Sequence, residues 1–330
     1  MSEITKIAWC DSTVNFWRGC RRVSPGCVNC YIERTPPLRM AHYRLGQPRI
    51  KSETAINAAL ALNRKPWICP VCGHAMTEDE SKGYLGCPNP KAKEDGQPAR
   101  VMHVAQHHRR RIFSLSVGDW LDDEIPASWL AEMLDTIRQC DQCTWILCTK
   151  RPENWPDRFS EVWDRARAHS EFSNWIGQWI DGQPPLNVVL LASGENQEQA
   201  DIRIPQLLRI PAACQGLSLE PLLGPVDVQA ALNKMPFTVG GNLDAELHWL
   251  IAGGESGPNA RPCNVEWIRS LVKQGQAAGV ATFVKQLGAD AYYTEPYTRD
   301  YLNHYLRDKK GGDPAEWPSD LRVQQWPKGF

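Results

Sequence analysis

Three cysteines spaced C-x6-C-x2-C, namely Cys20, Cys27 and Cys30, sit in the stretch Gly19-Cys20-Arg21-Arg22-Val23-Ser24-Pro25-Gly26-Cys27-Val28-Asn29-Cys30-Tyr31 and constrain the chain more than any other feature. Pro25 and Gly26 supply turn geometry just before the second cysteine. The segment is therefore expected to fold back on itself and aim three thiols at one point. Structural zinc takes four protein ligands in a closed tetrahedron, whereas three leave one position free for chemistry. A cubane iron-sulfur cluster wants a thiolate on each iron, so three cysteines would leave one iron open. The spacing leaves both metals open; zinc would need a fourth ligand such as Cys10 or His42.

Composition narrows the setting. Twelve cysteines and no apolar leader point to reduced, metal-binding thiols in a cytoplasm rather than a disulfide framework. No apolar run reaches the roughly 18 residues of a membrane span. A net charge of -1 gives no bulk case for an anionic partner, which a local patch would have to meet. His107-His-Arg-Arg-Arg111 is one candidate patch, a phosphate clamp in that reading. The 14 tryptophans are expected mainly in packing rather than base stacking.

Short, almost continuously apolar runs alternate with helical stretches. The runs are Ile4 to Trp9, Ile112 to Val117, Thr144 to Cys148, Asn187 to Ala192, Gln215 to Leu219, Leu247 to Ala252 and Val280 to Val284. Such runs are typical of strands covered on both faces. Helices are expected at Ala127 to Arg138, Pro205 to Leu208 and Val265 to Ala278, the last stopped by Gly279. The alternation predicts an α/β fold, a TIM-like (partial) β/α barrel of parallel strands, with an open doubly wound sheet as the alternative.

Active sites of such barrels lie beyond the carboxyl ends of the strands. Strand one exits into the three-cysteine loop, strand two into Gly118-Asp119-Trp120, strand three into Thr149-Lys150-Arg151-Pro152, and strand four into Ser193-Gly194-Glu195-Asn196. Strand five exits into Glu220-Pro221, strand six into Gly253 to Pro258, and strand seven into Lys285-Gln286. Every exit carries a polar or charged group, which a scaffold without a site has no need of.

The barrel is expected over 1–62 and 104–289, interrupted by a zinc-knuckle-like insertion at 63–103. That insertion holds Cys69, Cys72 and Cys87, with His74 or His103 as the fourth ligand of a structural zinc. A second insertion, Glu161 to Asp181, reads as extra helix on the outside, and the 290–330 tail as a segment wrapping the barrel. Cys140 and Cys143 read as helix-end and core residues, Cys148 and Cys214 as buried strand residues; Cys10 and Cys263 receive no role.

A cysteine loop at the end of strand one in a parallel β/α array resembles the radical S-adenosylmethionine (SAM) superfamily, although that superfamily's usual loop is C-x3-C-x2-C. The whole chain is more similar to an uncharacterised bacteriophage family, also found in bacteria, that carries a three-cysteine loop. The matching stretches are Trp17-Arg-Gly-Cys20, Ser24-Pro-Gly-Cys27, Cys30-Tyr31, Thr149-Lys-Arg-Pro152, Glu195-Asn-Gln197, Leu219 to Pro225, Gly253 to Gly257 and Phe283-Val-Lys-Gln286.

The resemblance implies a radical SAM enzyme. Cys20, Cys27 and Cys30 would hold a 4Fe-4S cluster with Tyr31 packed near it, and SAM would be cleaved to a 5'-deoxyadenosyl radical with electrons from an external donor. Ser116 and Asp119 would meet the amino end of SAM, and Ser193, Glu195 and Asn196 its ribose and carboxylate. Gly253-Gly-Glu255 spells the superfamily's amine-binding motif but stands after strand six instead of strand two. Lys150, Arg151, Glu220, Glu255, Ser256, Arg261 and Lys285 would face substrate. The phage context implies a nucleic-acid base as substrate, such as an amino-acid-modified thymine being isomerised. Two rivals remain: a zinc-bound nucleic-acid-binding protein, and a divalent-metal hydrolase or nuclease using Asp119, Glu195, Glu220 and Glu255.

Overall fold

Five- and six-residue apolar strands can be buried on both faces only if other elements cover both, and the chain builds that arrangement. The computed structural model describes residues 5–70, 72–82, 93–94, 97–98, 107–166, 170–232, 246–294, 299–301 and 305–330. Seven strands form one sheet: β1 (Ser12–Val14), β2 (Arg111–Ser114), β3 (Thr144–Thr149), β4 (Val188–Ser193), β5 (Cys214–Leu219), β6 (Trp249–Gly253) and β7 (Ala281–Gln286). Their spatial order is their chain order and every pairing is parallel. The sheet curls into a half-barrel with β1 and β7 at its edges, a mixed α/β architecture compatible with a partial TIM-like fold.

Helices α1 (Ala55–Asn63), α2 (Ala127–Gln139), α3 (Trp155–Ala166), α4 (Ser170–Ile180), α5 (Gln197–Leu208) and α6 (Val265–Ala278) supply the crossovers other than the one from β5 to β6, where the described residues hold the short helix Gln229–Leu232. The bounds of α6 are those expected from its pattern. Asn264 caps it by accepting from Glu266 N, Ile268, Leu271 and Val272 are buried, and Gly279 ends it at φ 69°. The second insertion, expected at Glu161 to Asp181, supplies the second half of α3 and the whole of α4; Phe159, in the first half of α3, packs edge-on against fully buried Trp179 of α4.

Strand periodicity sorts the core in two. Val14, Ile112, Leu147, Leu190, Leu217, Leu250 and Val284 face outward into one cluster that includes Leu134, Leu207 and Ile268 from the helices. The alternate residues Ile146, Val189, Leu191, Trp249, Ile251 and Phe283 point inward and pack with Trp9 and Trp326. Both clusters are apolar, which is why the runs looked continuous in sequence.

The first strand departs from expectation. Ile7 to Cys10 makes a turn, with Cys10 N donating to Ile7 O at 3.3 Å, and the strand forms at Ser12–Val14 instead. The turn carries Trp9 into the barrel interior, where it packs against Phe113 and Trp249. Burying that indole outweighs extending the strand. The run His107 to Arg111 is likewise spent on structure at the amino ends of the strands, away from the strand exits. His108 pairs with Asp11 at 3.1 Å, Arg110 donates to Ser12 Oγ at 2.8 Å, and Arg111 stacks 4.3 Å over Trp326.

The tail completes the interior. Val284 N donates to Val323 O at 2.8 Å and Gln325 N to Thr282 O at 2.9 Å, so residues 323–325 run along the open edge of β7. Trp326 then reaches Trp9 O through Nε1 at 3.1 Å. The tail thus links β7 to the segment before β1, across the gap that the sheet leaves. Truncating that link should be costly. Trp326→Ala is expected to lower the urea unfolding free energy by about 2–3 kcal/mol, whereas Ile202→Ala, at a side chain 53% exposed, should change it little. Equal effects from the two variants would show that the tail does not brace the barrel.

Candidate active site

On the inner face the chemistry changes along the strands. Above Ile146, Val189, Trp249 and Phe283, the last inward positions are Cys148, Ser193, Ser218 and Lys285. These four form the floor of a cavity of about 210 Å³ at the carboxyl ends of the sheet. The loop after β1 roofs it, and Cys20, Cys27 and Cys30 all line it.

The loop is held by the strand exits. Glu195, after β4, is fully buried; it accepts from Gly26 N at 3.0 Å and from the Ser24 hydroxyl, and Arg203 neutralises it at 2.8 Å. Gly26 is required for this approach, because a Cβ there would meet Glu195 Oε1 at 2.8 Å. Glu255, after β6, accepts from Asn29 Nδ2 at 2.9 Å and pairs with Arg261 at 2.6 Å, and Arg261 donates to Pro25 O at 2.8 Å. After β2, Gly19 N donates to Val117 O at 2.9 Å and the Tyr31 hydroxyl to Ser116 O. Burial would raise both glutamate pKa values. The charges of Lys150 and Arg203 hold Glu195 below the carboxylate range, and Arg261 and Asn29 do the same for Glu255.

After β3, Arg151 is 2% exposed and lies between Asp119, at 2.9 Å, and Cys20, whose sulfur its two terminal nitrogens approach at 3.6 and 3.5 Å. Asp119 also accepts from Thr149 Oγ1 at 2.7 Å and Lys150 N at 2.9 Å, so its carboxylate sets the shape of this exit. Burial pushes the Cys20 thiol up to about 11 although Arg151 pulls it down, and burial raises Cys30 as well. Both thiols stay protonated at neutral pH until a metal displaces the proton. Lys150 Nζ donates to Ser193 Oγ at 2.7 Å. Lys285 pairs with Glu220 Oε2 at 3.1 Å, and Glu220 Oε1 is buried with no hydrogen-bond partner among the described residues. A Cβ at Gly253 would stand 2.5 Å from that oxygen, so glycine makes room for it.

Two features bear on a metal. Among the described residues, no three His, Cys, Asp or Glu side chains form a group that could hold one ion. The four carboxylates of the hydrolase reading do not converge: Asp119, Glu195 and Glu255 each face an arginine, and Glu220 a lysine. A cubane asks for less convergence, since each thiolate binds a different iron. The donor set on the cavity, three thiols with N–H groups directed at one sulfur, fits that group chemically.

The family described as "Protein of unknown function (DUF5131)" matches residues 4–311. The chain belongs to this family. No curated protein and no solved structure matches it. In this DUF5131 member the structure brings Tyr31, Ser116, Asp119, Lys150, Ser193, Glu220, Glu255 and Lys285 to the cavity beside the three thiols. Two expected ligand contacts have other employment. Glu195 clamps the cysteine loop, and Asn196 caps α5 by accepting from Gln199 N at 2.9 Å. Cys148, expected in the core, lines the cavity, because β3 turns it inward with Ile146. Of the clamp partners, Asn29 carried no local signal, since it acts on Glu255 226 positions away. Arg203 stands only eight residues from Glu195 within the next helix, and Arg261, expected to face substrate, is instead six residues from the Glu255 it pairs with. In the insertion, Cys69 and Cys72 sit on a tight turn where Gly73 N donates to Cys69 O at 2.9 Å and Cys69 N to His74 O at 3.0 Å. Cys87 and His103 lie outside the described residues.

The Glu195 clamp predicts a pH signature. Its folded pKa lies below the unfolded value of about 4.3, so its stabilisation is complete above that pH and is lost as pH falls through the folded value. Glu195→Gln leaves Arg203 buried without a counter-charge and should cost about 3 kcal/mol at pH 7. The gap between variant and wild type should shrink below about pH 4, read by chemical denaturation across pH. A gap independent of pH would refute the ionised clamp.

Proposed function

We propose that this protein is a radical SAM enzyme whose 4Fe-4S cluster is held by Cys20, Cys27 and Cys30. The observation that carries the reading is that all three thiols of the loop after β1 reach one cavity over the carboxyl ends of a parallel half-barrel. Held by Cys20, Cys27 and Cys30, such a group would supply the chemistry of one-electron reductive cleavage of SAM to a 5'-deoxyadenosyl radical.

The chain's own residues do the rest. Glu195 and Glu255 hold the loop whose three cysteines line the cavity. Arg151 places positive charge against Cys20, which favours its deprotonated form. Lys150 and Lys285 bring cations toward carboxylate or phosphate oxygens, and the orphaned Glu220 Oε1 accepts from a ligand hydroxyl or amine. The apolar layer of Trp9, Phe113 and Ile146 beneath keeps water out of a site that must not quench radicals.

The substrate we propose is a base in a nucleic acid. Residues 18–49, which include the roof loop, hold seven arginines and a single acid, Glu33. Arg22, Arg34, Arg39 and Arg44 are exposed, as are Val28, Tyr31 and Met40. Exposed guanidinium groups interleaved with apolar side chains suit a polyanion carrying flat bases. The same arginines favour the second reading, a zinc-bound nucleic-acid-binding protein with its second metal at Cys69 and Cys72.

Anaerobic reconstitution with iron and sulfide separates the two. The radical reading expects a broad visible absorbance, its loss in Cys20→Ala, Cys27→Ala and Cys30→Ala, and release of 5'-deoxyadenosine and methionine on adding SAM and dithionite. Colourless protein that keeps zinc and leaves SAM intact would overturn it.

A further inference from the structure

The cavity holds a fourth thiol for which neither the cluster nor the fold has a use. Cys148 ends the inward row of β3, and its sulfur faces the Ser193 hydroxyl at 3.7 Å. Ser193 in turn accepts from Lys150 Nζ at 2.7 Å. Thiol, hydroxyl and ammonium thus form a chain along the cavity floor, all three lining the same space as Cys20, Cys27 and Cys30. The other cysteine of the seven-stranded sheet, Cys214, is completely buried below in the apolar layer.

We propose that Cys148 is a catalytic hydrogen-atom donor to carbon radicals formed in this cavity, with Ser193 and Lys150 restoring its proton. The inference rests on the radical reading above. The S–H bond, like the phenolic O–H of tyrosine, is much weaker than a primary C–H bond, so hydrogen transfer from it to a primary carbon radical runs downhill; of the two, the Tyr31 hydroxyl is engaged with Ser116 O. The carbon gains a C–H bond, the S–H bond breaks homolytically, and a sulfur-centred radical is left. One electron from the low-potential external donor that the reaction already needs reduces that sulfur to a thiolate. A proton passed from Lys150 through the Ser193 hydroxyl completes the thiol, and solvent reprotonates the lysine. Burial, the largest influence on Cys148, holds its pKa above that of a free thiol, so the transferable hydrogen is present at neutral pH; Lys150 and Ser193 pull weakly the other way.

Two measurements test it. In the apoprotein, a small alkylating reagent applied at alkaline pH, where a thiol raised by burial still ionises in part, and followed by peptide mass spectrometry should modify Cys148 and spare Cys214 and Cys263; a Cys148 as inert as those two under that condition overturns the proposal. In reconstituted enzyme given SAM and dithionite in D₂O, wild type should release 5'-deoxyadenosine carrying one deuterium from the exchanged thiol. Cys148→Ser keeps the size and the Ser193 hydrogen bond but has no weak bond to hydrogen, and should release the same nucleoside without deuterium. Retained deuterium in Cys148→Ser overturns the donor role alone. A wild type that forms no 5'-deoxyadenosine overturns the radical reading and the donor with it.

Discussion

Two buried carboxylates, Glu195 and Glu255, hold the cysteine loop over the mouth of the half-barrel, and the candidate site depends on them. A buried carboxylate costs several kcal/mol in desolvation unless it is paired and fully hydrogen-bonded. Here Arg203 and Arg261 provide the charge, while Gly26 N, Ser24 and Asn29 of the loop provide the remaining donors. Each carboxylate is satisfied only when the loop is in place. Glutamates from two different strand exits therefore fix a short, glycine-containing segment that could not fix itself.

The same economy runs through the cavity. Four acids and four cations pair off around it, so the charged groups cost little to bury and leave a few unsatisfied atoms pointed at useful places. Glu220 Oε1 is the clearest of these, an acceptor kept waiting by a lysine on its other oxygen and a glycine behind it. Beneath, an aromatic and aliphatic layer seals the barrel, with Trp9 and Trp326 brought in from the segments flanking the sheet. The site is polar above and dry below because the inward row of each strand changes character at its last residue.

Much of this was legible along the chain. Seven apolar runs, the polar exits that follow them, and the span of helix α6 down to its Gly279 stop are local patterns, and local patterns survive folding when tertiary packing agrees with them. What misled was also physical. Ile4 to Trp9 is apolar enough for a strand, yet its indole fills the barrel interior instead. The basic run at His107 to Arg111 suggests phosphate, yet Asp11, Ser12 and Trp326 claim its members from distant parts of the chain. Cys148 is one apolar residue among others in its run, and it enters the cavity because alternation puts it on the face of β3 that carries Ile146, which the sheet turns inward.

By itself the sequence determined the alternation of parallel strands and helices, the loop of three thiols and its place after the first strand, since spacing and periodicity are properties of neighbouring residues. Only the tertiary structure decided which acid meets which base, that the sheet stays open and is bridged by the tail, and that a fourth thiol shares the cavity. Those outcomes depend on contacts between residues separated by as many as 317 positions, as between Trp9 and Trp326, and no local pattern encodes a contact at that range.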